Sequence, residues 1–201
     1  MKFFVRLSVL FFVTLSTFSV FAEPAKVSKD GQPEYLRIIS ENDKVMAVKV
    51  GSGENAIIIQ RTMTSCAKNK GWLQPLIPVV GSHPVTELEV LASLNDKDSM
   101  LIDMREQDHF VEGTIPTAIN IPYTEVALRL NELGCEKTSS AWNCTNAKKV
   151  YAFCNGPVCP QSPIAMKAMV RDGFPADKIY YYRGGMLDWE ALGFTTVEGE
   201  F

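Results

Sequence analysis

Cys154 is the residue of this sequence whose type and surroundings best suit nucleophilic chemistry. It follows a β-prone run, residues 148–153, and precedes a segment rich in turn residues. That segment is predicted to lead into a helix with Ser162 as the N-cap and Pro163 at the first helical position. A strand–loop–helix unit directs backbone N–H groups and the positive end of the helix dipole into the loop. We therefore expect the pKa of the Cys154 thiol to lie below the value of about 8.5 of a free cysteine.

The predicted substrate loop behind Cys154 is stiff and has few amide donors. It comprises Asn155, Gly156, Pro157, Val158, Cys159, Pro160, Gln161 and Ser162. Gly156 permits a tight path, whereas the two prolines remove two N–H groups. The alternative interpretation of Cys154 is a buried cysteine without a chemical task, because free cysteines are often buried. A glycine-bearing loop followed by a capped helix favours the reactive thiol.

Other polar residues follow predicted strands and could support Cys154. From residue 79 onward, predicted strands and helices alternate, which is typical of a mostly parallel sheet covered on both faces. Asp103 and Arg105 stand at the end of one predicted strand, and Arg183 follows another. Because sites in such sheets gather at the carboxyl ends of the strands, we expect these residues on one edge. A structural ion pair with Asp103 is the alternative role for the arginines.

The five cysteines are an odd number, so at least one thiol stays free or pairs between chains. Cys135 and Cys144 bracket a polar stretch, residues 136–143, and are predicted to form a disulfide that staples a surface insertion. Two unrelated buried thiols are the alternative. The sequence assigns no role to Cys66.

The first 22 residues have the pattern of a secretory signal peptide. Lys2 and Arg6 precede an apolar run, and Ala22 is a small residue suited to signal peptidase. An uncleaved membrane anchor is the alternative, but the run is short and interrupted by Ser and Thr. We therefore expect a periplasmic or secreted protein that has no membrane segment after cleavage.

Charge and composition argue against several partner classes. Loss of Lys2 and Arg6 with the signal segment changes the net charge from −3 to −5, which disfavours nucleic acid as a partner. No Gly-rich nucleotide motif is present, so no cofactor is implied. No metal site is predicted either, because no cysteine spacing matches a zinc motif and the two histidines lie apart from the cysteines.

Residues 23–78 are predicted to form an N-terminal leader and a β-hairpin extension. The leader is polar, and two β-prone runs, residues 44–50 and 56–61, flank a five-residue turn. Residues 79–201 form the predicted main domain.

Four stretches resemble motifs of the rhodanese family and come in that family's order. They are residues 101–105 (LIDMR), 113–122 (GTIPTAINIP), 150–154 with the loop behind them, and 182–189 (YRGGMLDW). The resemblance implies an α/β fold with a five-stranded, mostly parallel sheet flanked by helices. It also implies sulfur transfer through a persulfide on Cys154. The chain departs from the family pattern at Cys159 and Pro160, where the family loop often carries an arginine.

We expect a sulfurtransferase that takes sulfur from a small donor such as thiosulfate or a persulfide and passes it to a thiol acceptor. A thiol–disulfide redox or sensing protein that uses Cys154 and Cys159 is the main alternative. A non-catalytic rhodanese-like binding module is another. A phosphatase or arsenate reductase is disfavoured, because no arginine follows Cys154 before Ser162.

Export can be tested on protein expressed with its own N-terminus. Cleavage after Ala22 is expected to give a soluble chain that begins at Glu23, as measured by intact-mass spectrometry of the periplasmic fraction. An uncleaved chain that sediments with membranes would contradict the signal-peptide prediction.

Overall fold

The structure is a computed structural model that describes residues 35–36, 38, 45, 47–62 and 71–200. The signal segment, the polar leader and Cys66 lie outside the described residues. None of the helices in the described ranges is long and apolar enough to cross a membrane.

The described residues form ten strands, four α-helices and four short 3-10 helices. The strands are β1 (Tyr35–Leu36), β2 (Ala47–Val50), β3 (Ile57–Thr62), β4 (His83–Val85), β5 (Ser99–Asp103), β6 (Ile119–Asn120), β7 (Glu136–Lys137), β8 (Trp142–Asn143), β9 (Lys149–Phe153) and β10 (Ile179–Tyr182). The α-helices are α1 (Glu87–Ser93), α2 (Gln107–Glu112), α3 (Gln161–Arg171) and α4 (Gly185–Ala191). The 3-10 helices are Gly53–Asn55, Val126–Leu128, Leu130–Leu133 and Ala176–Lys178.

The central sheet has five parallel strands in the order β4-β10-β9-β5-β6. The register pairs Asp103 of β5 with Phe153 of β9, and Phe153 with Tyr182 of β10. The three central strands therefore end at the same level, and Cys154 follows Phe153 there. The predicted α/β fold with a five-stranded, mostly parallel sheet is confirmed.

Helices cover both faces of this sheet, and the strands alternate between the two layers. Ala152 and Tyr181 face one layer, where they pack with Met166 of α3. Phe153 and Tyr182 belong to the other cluster, with Trp189 of α4. Burial on both faces explains why β9 and β10 are apolar almost throughout.

The helix pattern of the sequence is only partly reproduced. The residue type of Thr86 predicts a helix cap, and Thr86 does cap α1, with a capping box in which its backbone and hydroxyl donate to the Glu89 carboxylate at 2.8 and 2.7 Å. The spacing of apolar residues over 124–133 predicts a helix as well, and this prediction is wrong, because two 3-10 turns stand there instead. Arg129 separates them with non-helical φ/ψ angles of −112° and 23°.

The N-terminal extension contains the predicted hairpin. Strands β2 and β3 pair antiparallel across the turn at residues 51–56, and β1 adds to the other edge of β3. Further along the chain, the backbone N–H of Leu73 donates to the carbonyl oxygen of Ile38 at 3.2 Å, and that of Gln74 donates to the carbonyl oxygen of Pro157 at 2.9 Å. The extension is therefore hydrogen-bonded to the loop behind Cys154.

A disulfide joins Cys135 and Cys144, as predicted from the sequence. The nine-residue separation encloses the antiparallel pair β7–β8, which projects polar, exposed residues. Both cysteines are buried in the cluster under α3. The insertion is therefore fixed at its base by a covalent bond.

Replacing both bridge cysteines, Cys135→Ala with Cys144→Ala, is expected to lower the free energy of unfolding by about 2–3 kcal/mol. The physical reason is the larger conformational freedom of the unfolded chain without the cross-link. Urea unfolding with and without reductant checks this. Reductant should destabilise the wild type and leave the double variant unchanged, and an equal effect on both would contradict the assignment.

Candidate functional site

Cys154 is the first residue after β9, and only 2% of its surface is exposed. The loop continues to Pro160, which is the N-cap of α3 with helical φ/ψ angles and no side-chain cap hydrogen bond. The prediction that Ser162 caps the helix is therefore wrong, since it is the second residue of α3. Because the helix begins earlier, the Ser162 side chain is fully buried instead of turned to the helix end.

A tight turn brings Cys159 back over Cys154. The backbone N–H of Cys159 donates to the carbonyl oxygen of Gly156 at 2.9 Å. Gly156 has a φ of +149°, and a Cβ there would lie 3.0 Å from the Cβ of Leu187 and 3.1 Å from the Gly184 carbonyl oxygen. The close approach of α4 to the loop therefore requires glycine at 156.

The start of α4 docks directly on the backbone of the loop. The N–H groups of Met186 and Leu187 donate to the carbonyl oxygens of Cys154 and Asn155 at 3.1 and 3.0 Å. Gly185 has a φ of +56°, and a Cβ there would overlap the Cys154 carbonyl oxygen. Sequence reasoning assigned Gly185 no role in the site, although the glycine pair at 184–185 was the available signal.

The environment of the Cys154 sulfur acts on its pKa in two opposite directions. Burial raises the pKa, because a charged sulfur loses its hydration. Hydrogen bonds from the Cys159 thiol, the Ser162 hydroxyl and the amides of Ser162 and Gly156 outweigh burial and lower the pKa of Cys154 to about 7. A large fraction of this thiol is therefore ionised near neutral pH.

The Ser162 hydroxyl can donate a hydrogen bond to the Cys154 sulfur when that sulfur is ionised. Its hydroxyl makes no hydrogen bond of standard geometry to the rest of the described chain, yet it is close enough to Cys154 to lower that pKa. While Cys154 is protonated, its thiol instead donates to the Cys159 carbonyl oxygen over 3.4 Å. Ionisation of Cys154 therefore gives the buried hydroxyl a partner.

Cys159 has the opposite tendency. The hydrogen bond with Cys154 raises the pKa of Cys159, and burial of the side chain raises it further. While Cys154 is protonated, the Cys159 thiol donates instead to the side-chain oxygen Oε1 of Gln161 at 3.5 Å. Cys159 is therefore held as a neutral thiol while Cys154 carries the charge.

Arg105 forms the ion pair with Asp103 that the sequence offered as its alternative role. The guanidinium meets the carboxylate through Nε at 2.9 and 3.0 Å and through Nη2 at 2.6 Å. Thr114 donates a further hydrogen bond to Asp103 at 2.8 Å. Nη1 also donates to Oδ1 of Asn155 at 3.4 Å, so Arg105 contacts the loop behind Cys154 through the Asn155 side chain.

Arg183 lies one residue past the end of β10, level with Cys154 at the sheet edge. Its Nε is buried and has no hydrogen-bond partner among the described residues. Its charge acts on Tyr181 and Asp188. The structure thus brings Arg183 to the predicted edge and leaves its buried donor unbonded.

Tyr181 is a site residue that sequence reasoning missed. Its hydroxyl is buried without a hydrogen-bond partner in the described part of the chain. Burial raises the pKa of Tyr181, and the negative charge of Cys154 raises it further. Tyr181 therefore stays protonated near the two sulfurs, and no local sequence pattern distinguishes it from the neighbouring tyrosines of β10.

A cavity of about 310 Å³ opens on the outer side of the loop. Its walls come from the loop, the start of α4, α2 and Arg105, and they include His109, Glu112, Asn155, Val158 and Glu190. Cys154 is not among its lining residues, because the sulfur lies beneath the loop. Within the described residues, no group of three or more His, Cys, Asp or Glu side chains is placed to hold a metal ion.

Comparison with known proteins assigns this site to a family. A family model described as the rhodanese-like domain matches residues 86–192, slightly more than half of the 201 residues. The chain belongs to the rhodanese-like domain family. The start of the main domain at residue 79 stays a prediction, as the matched region begins later.

Two curated relatives and one solved structure illustrate the family. The chain is 32% identical over 123 residues to an HTH-type transcriptional regulator of Mycobacterium tuberculosis, covering 60% of this chain and 48% of the relative. It is 33% identical over 108 residues to the thiosulfate sulfurtransferase/rhodanese-like domain-containing protein 3 of Mus musculus, covering 52% and 66%. The crystal structure of the thiosulfate sulfurtransferase of Pseudomonas aeruginosa is 23% identical, with a TM-score of 0.48 over 59% of this chain and 21% of that one. The chain thus spans about half to two-thirds of the length of these curated relatives.

Substitution of Ser162 by Ala tests the hydrogen bonds that act on this rhodanese-like domain's cysteine. A hydrogen bond to a charged group contributes about 1.5–3 kcal/mol, so the pKa of Cys154 should rise and its alkylation rate at pH 7 should fall roughly 7- to 80-fold. The pH dependence of alkylation by iodoacetamide, followed on the Cys154 peptide, measures this. In the wild type the rate should rise as the pH passes about 7.

Ser93→Ala is the matched control, because Ser93 is also buried and its hydroxyl bonds only to Val90 within α1 at 2.7 Å. It should leave the alkylation profile unchanged. An unchanged profile for Ser162→Ala would remove the Ser162 hydroxyl from the account of the thiolate.

Proposed function

We propose that this protein is a sulfurtransferase that carries sulfane sulfur as a persulfide on Cys154. The observation that supports this most is the ionised character of a buried thiol, whose pKa is about 7 because donors from the loop and α3 surround it. A thiolate is the reactive form of cysteine, and its position at the carboxyl edge of a parallel sheet suits ligand chemistry.

In the first half-reaction, the Cys154 thiolate attacks the outer sulfur of a donor such as thiosulfate. A sulfur–sulfur bond forms to Cys154 while the bond within the donor breaks, and sulfite leaves with the electron pair of that bond. The negative charge then rests on the outer sulfur of the persulfide. Hydrogen-bond donors such as the amides of Gly156 and Ser162 stabilise an anion of this kind.

In the second half-reaction, an acceptor thiolate or cyanide attacks the outer sulfur of the persulfide. Cys154 leaves as a thiolate, which its low pKa favours, because a more stable thiolate is a better leaving group. The enzyme returns to its starting state without a cofactor.

The burial of Cys154 favours a small donor. Because only 2% of the Cys154 surface is exposed, a sulfur donor can reach the thiolate only through a narrow opening. Thiosulfate and low-molecular-weight persulfides fit this requirement. The name of the mouse relative includes thiosulfate sulfurtransferase, which agrees with this donor class.

We further propose that the protein works in the periplasm or outside the cell. The signal pattern in residues 1–22 supports this location, and so does the disulfide between Cys135 and Cys144, because disulfides persist in oxidising compartments. The acidic balance of the chain agrees with a small-molecule substrate in preference to nucleic acid.

Cys154→Ser is expected to lower sulfur transfer from thiosulfate to cyanide by two orders of magnitude or more, roughly the loss caused by removing a nucleophile. Thiocyanate formation measures the rate, and a small organic persulfide serves as a second donor. Ser139→Ala is the control, since it alters an exposed residue of the surface insertion, and it should retain the wild-type rate. Equal rates for wild type and Cys154→Ser with both donors would end the proposal.

A further inference from the structure

The second thiol of the loop, Cys159, lies close enough to Cys154 to react with a sulfur atom bound there. The turn closed between Gly156 and Cys159 folds the chain back, so that the Cys154 sulfur lies 3.4 Å from the Cys159 carbonyl oxygen, and a hydrogen bond with the Cys159 thiol lowers the pKa of Cys154. Both residues are buried, with 2% and 3% of their surfaces exposed, and neither forms a disulfide in this structure. The two sulfurs therefore share one enclosed space.

The two thiols differ in pKa, and this difference determines which of them reacts first with the sulfur donor. Burial and the shared hydrogen bond favour the proton on Cys159, while Cys154 is the one that ionises. Cys154 is thus the thiol that meets the sulfur donor. Cys159 keeps its proton until the charge leaves the Cys154 sulfur.

Formation of the persulfide moves that charge. Once Cys154 is bonded to the transferred sulfur, its own sulfur is neutral and the negative charge sits one atom further out. The charge that kept Cys159 protonated is then displaced, and the outer sulfur becomes a base that can take the Cys159 proton. Gln161, which accepts from the Cys159 thiol at 3.5 Å, keeps that side chain at the loop.

We propose that Cys159 attacks the inner sulfur of the Cys154 persulfide, which releases hydrosulfide and leaves a Cys154–Cys159 disulfide. This inference rests on the proposed function, because it needs the persulfide as its starting point. The Cys159 sulfur forms a bond to the Cys154 sulfur, and the bond from Cys154 to the outer sulfur breaks. The Cys159 proton passes to the departing sulfur, so persulfide anion and thiol become disulfide and HS⁻ with atoms and charge balanced.

Enclosure lets this internal step compete with capture of the outer sulfur by an acceptor, and it prevails when no external acceptor is present. A group held beside the reacting atom acts at a very high effective concentration, with measured values of about 10⁵–10⁸ M for well-aligned reactions. An external thiol must approach through a loop that leaves almost no sulfur surface exposed. The protein would then couple consumption of a sulfur donor to release of sulfide, and an external dithiol reductant would restore the two thiols by exchange.

A single-turnover experiment separates this step from the persulfide chemistry that precedes it. In a Cys66→Ser background, the reduced protein with its Cys135–Cys144 bridge intact receives one equivalent of thiosulfate and no added thiol. Sulfite reports formation of the persulfide, and sulfide reports its resolution. The wild-type loop is expected to yield one equivalent of each, with a protein mass lower by about 2 Da and a peptide-mapped 154–159 disulfide.

Cys159→Ser and Cys159→Ala are the decisive variants. Both are expected to release sulfite, to retain a persulfide that adds about 32 Da, and to release no sulfide until a thiol is added. The two replacements differ in polarity, so agreement between them shows that the missing thiol is the cause. A control variant, Ser139→Ala, alters the exposed insertion and should match the wild-type loop.

The outcomes distinguish the two proposals. Sulfite without sulfide from the wild-type loop, with a stable persulfide on Cys154 or on Cys159, would overturn the internal step and leave sulfur transfer standing. Equal sulfide release from the Cys159 variants would overturn it as well. The proposed function itself would be contradicted if thiosulfate gave no sulfite and an organic persulfide gave none of its corresponding thiol.

Discussion

The buried carboxylate of Asp103 imposes the constraint on which the sheet edge depends. It has no exposed surface, and an unpaired charge in such a place would cost several kcal/mol, so each of its oxygens needs a donor. Arg105 and the Thr114 hydroxyl supply these donors. The same guanidinium donates to the Gly113 carbonyl oxygen at 2.5 Å and reaches Asn155 in the loop. One ion pair thus ties the end of β5 to the segment at 113–114 and to the residue after Cys154.

Around the cysteine, burial and hydrogen bonding oppose each other. Burial alone would keep Cys154 neutral and inert, and the thiolate forms only because several donors converge on one sulfur. Two of these donors are backbone amides: that of Ser162 belongs to α3, and that of Gly156 lies in the part of the loop on which Gly185 of α4 docks. The two prolines remove amides, and the Ser162 hydroxyl and the Cys159 thiol supply donors in their stead. The atypical loop therefore replaces part of a backbone cradle with side chains.

The sequence predicted features that depend on local pattern and chain order. The alternation of strands and helices placed Asp103, Cys154 and Arg183 on one edge, and the spacing of Cys135 and Cys144 indicated their bridge. Other features depend on contacts that no local pattern encodes. Ser162 has the residue type of an N-cap, but Pro160 adopts helical angles and starts α3 earlier, which turns Ser162 inward. Tyr181 has the appearance of core packing in the sequence, and only the three-dimensional register brings its hydroxyl near the two sulfurs.

The hydrogen bond from Gln74 to Pro157 links the chain ahead of the family domain to the loop behind Cys154. Pro157 stands in the middle of the loop, and its carbonyl oxygen is held at 2.9 Å by a backbone N–H that comes twelve residues before the matched region begins at 86. A fragment trimmed to residues 86–192 would lack this hydrogen bond and also the edge strand β4 of the central sheet. Leu73 and Gln74 thus link Ile38, two residues after β1, to Pro157 of the loop, so residues outside the family domain support the enclosure of the sulfur.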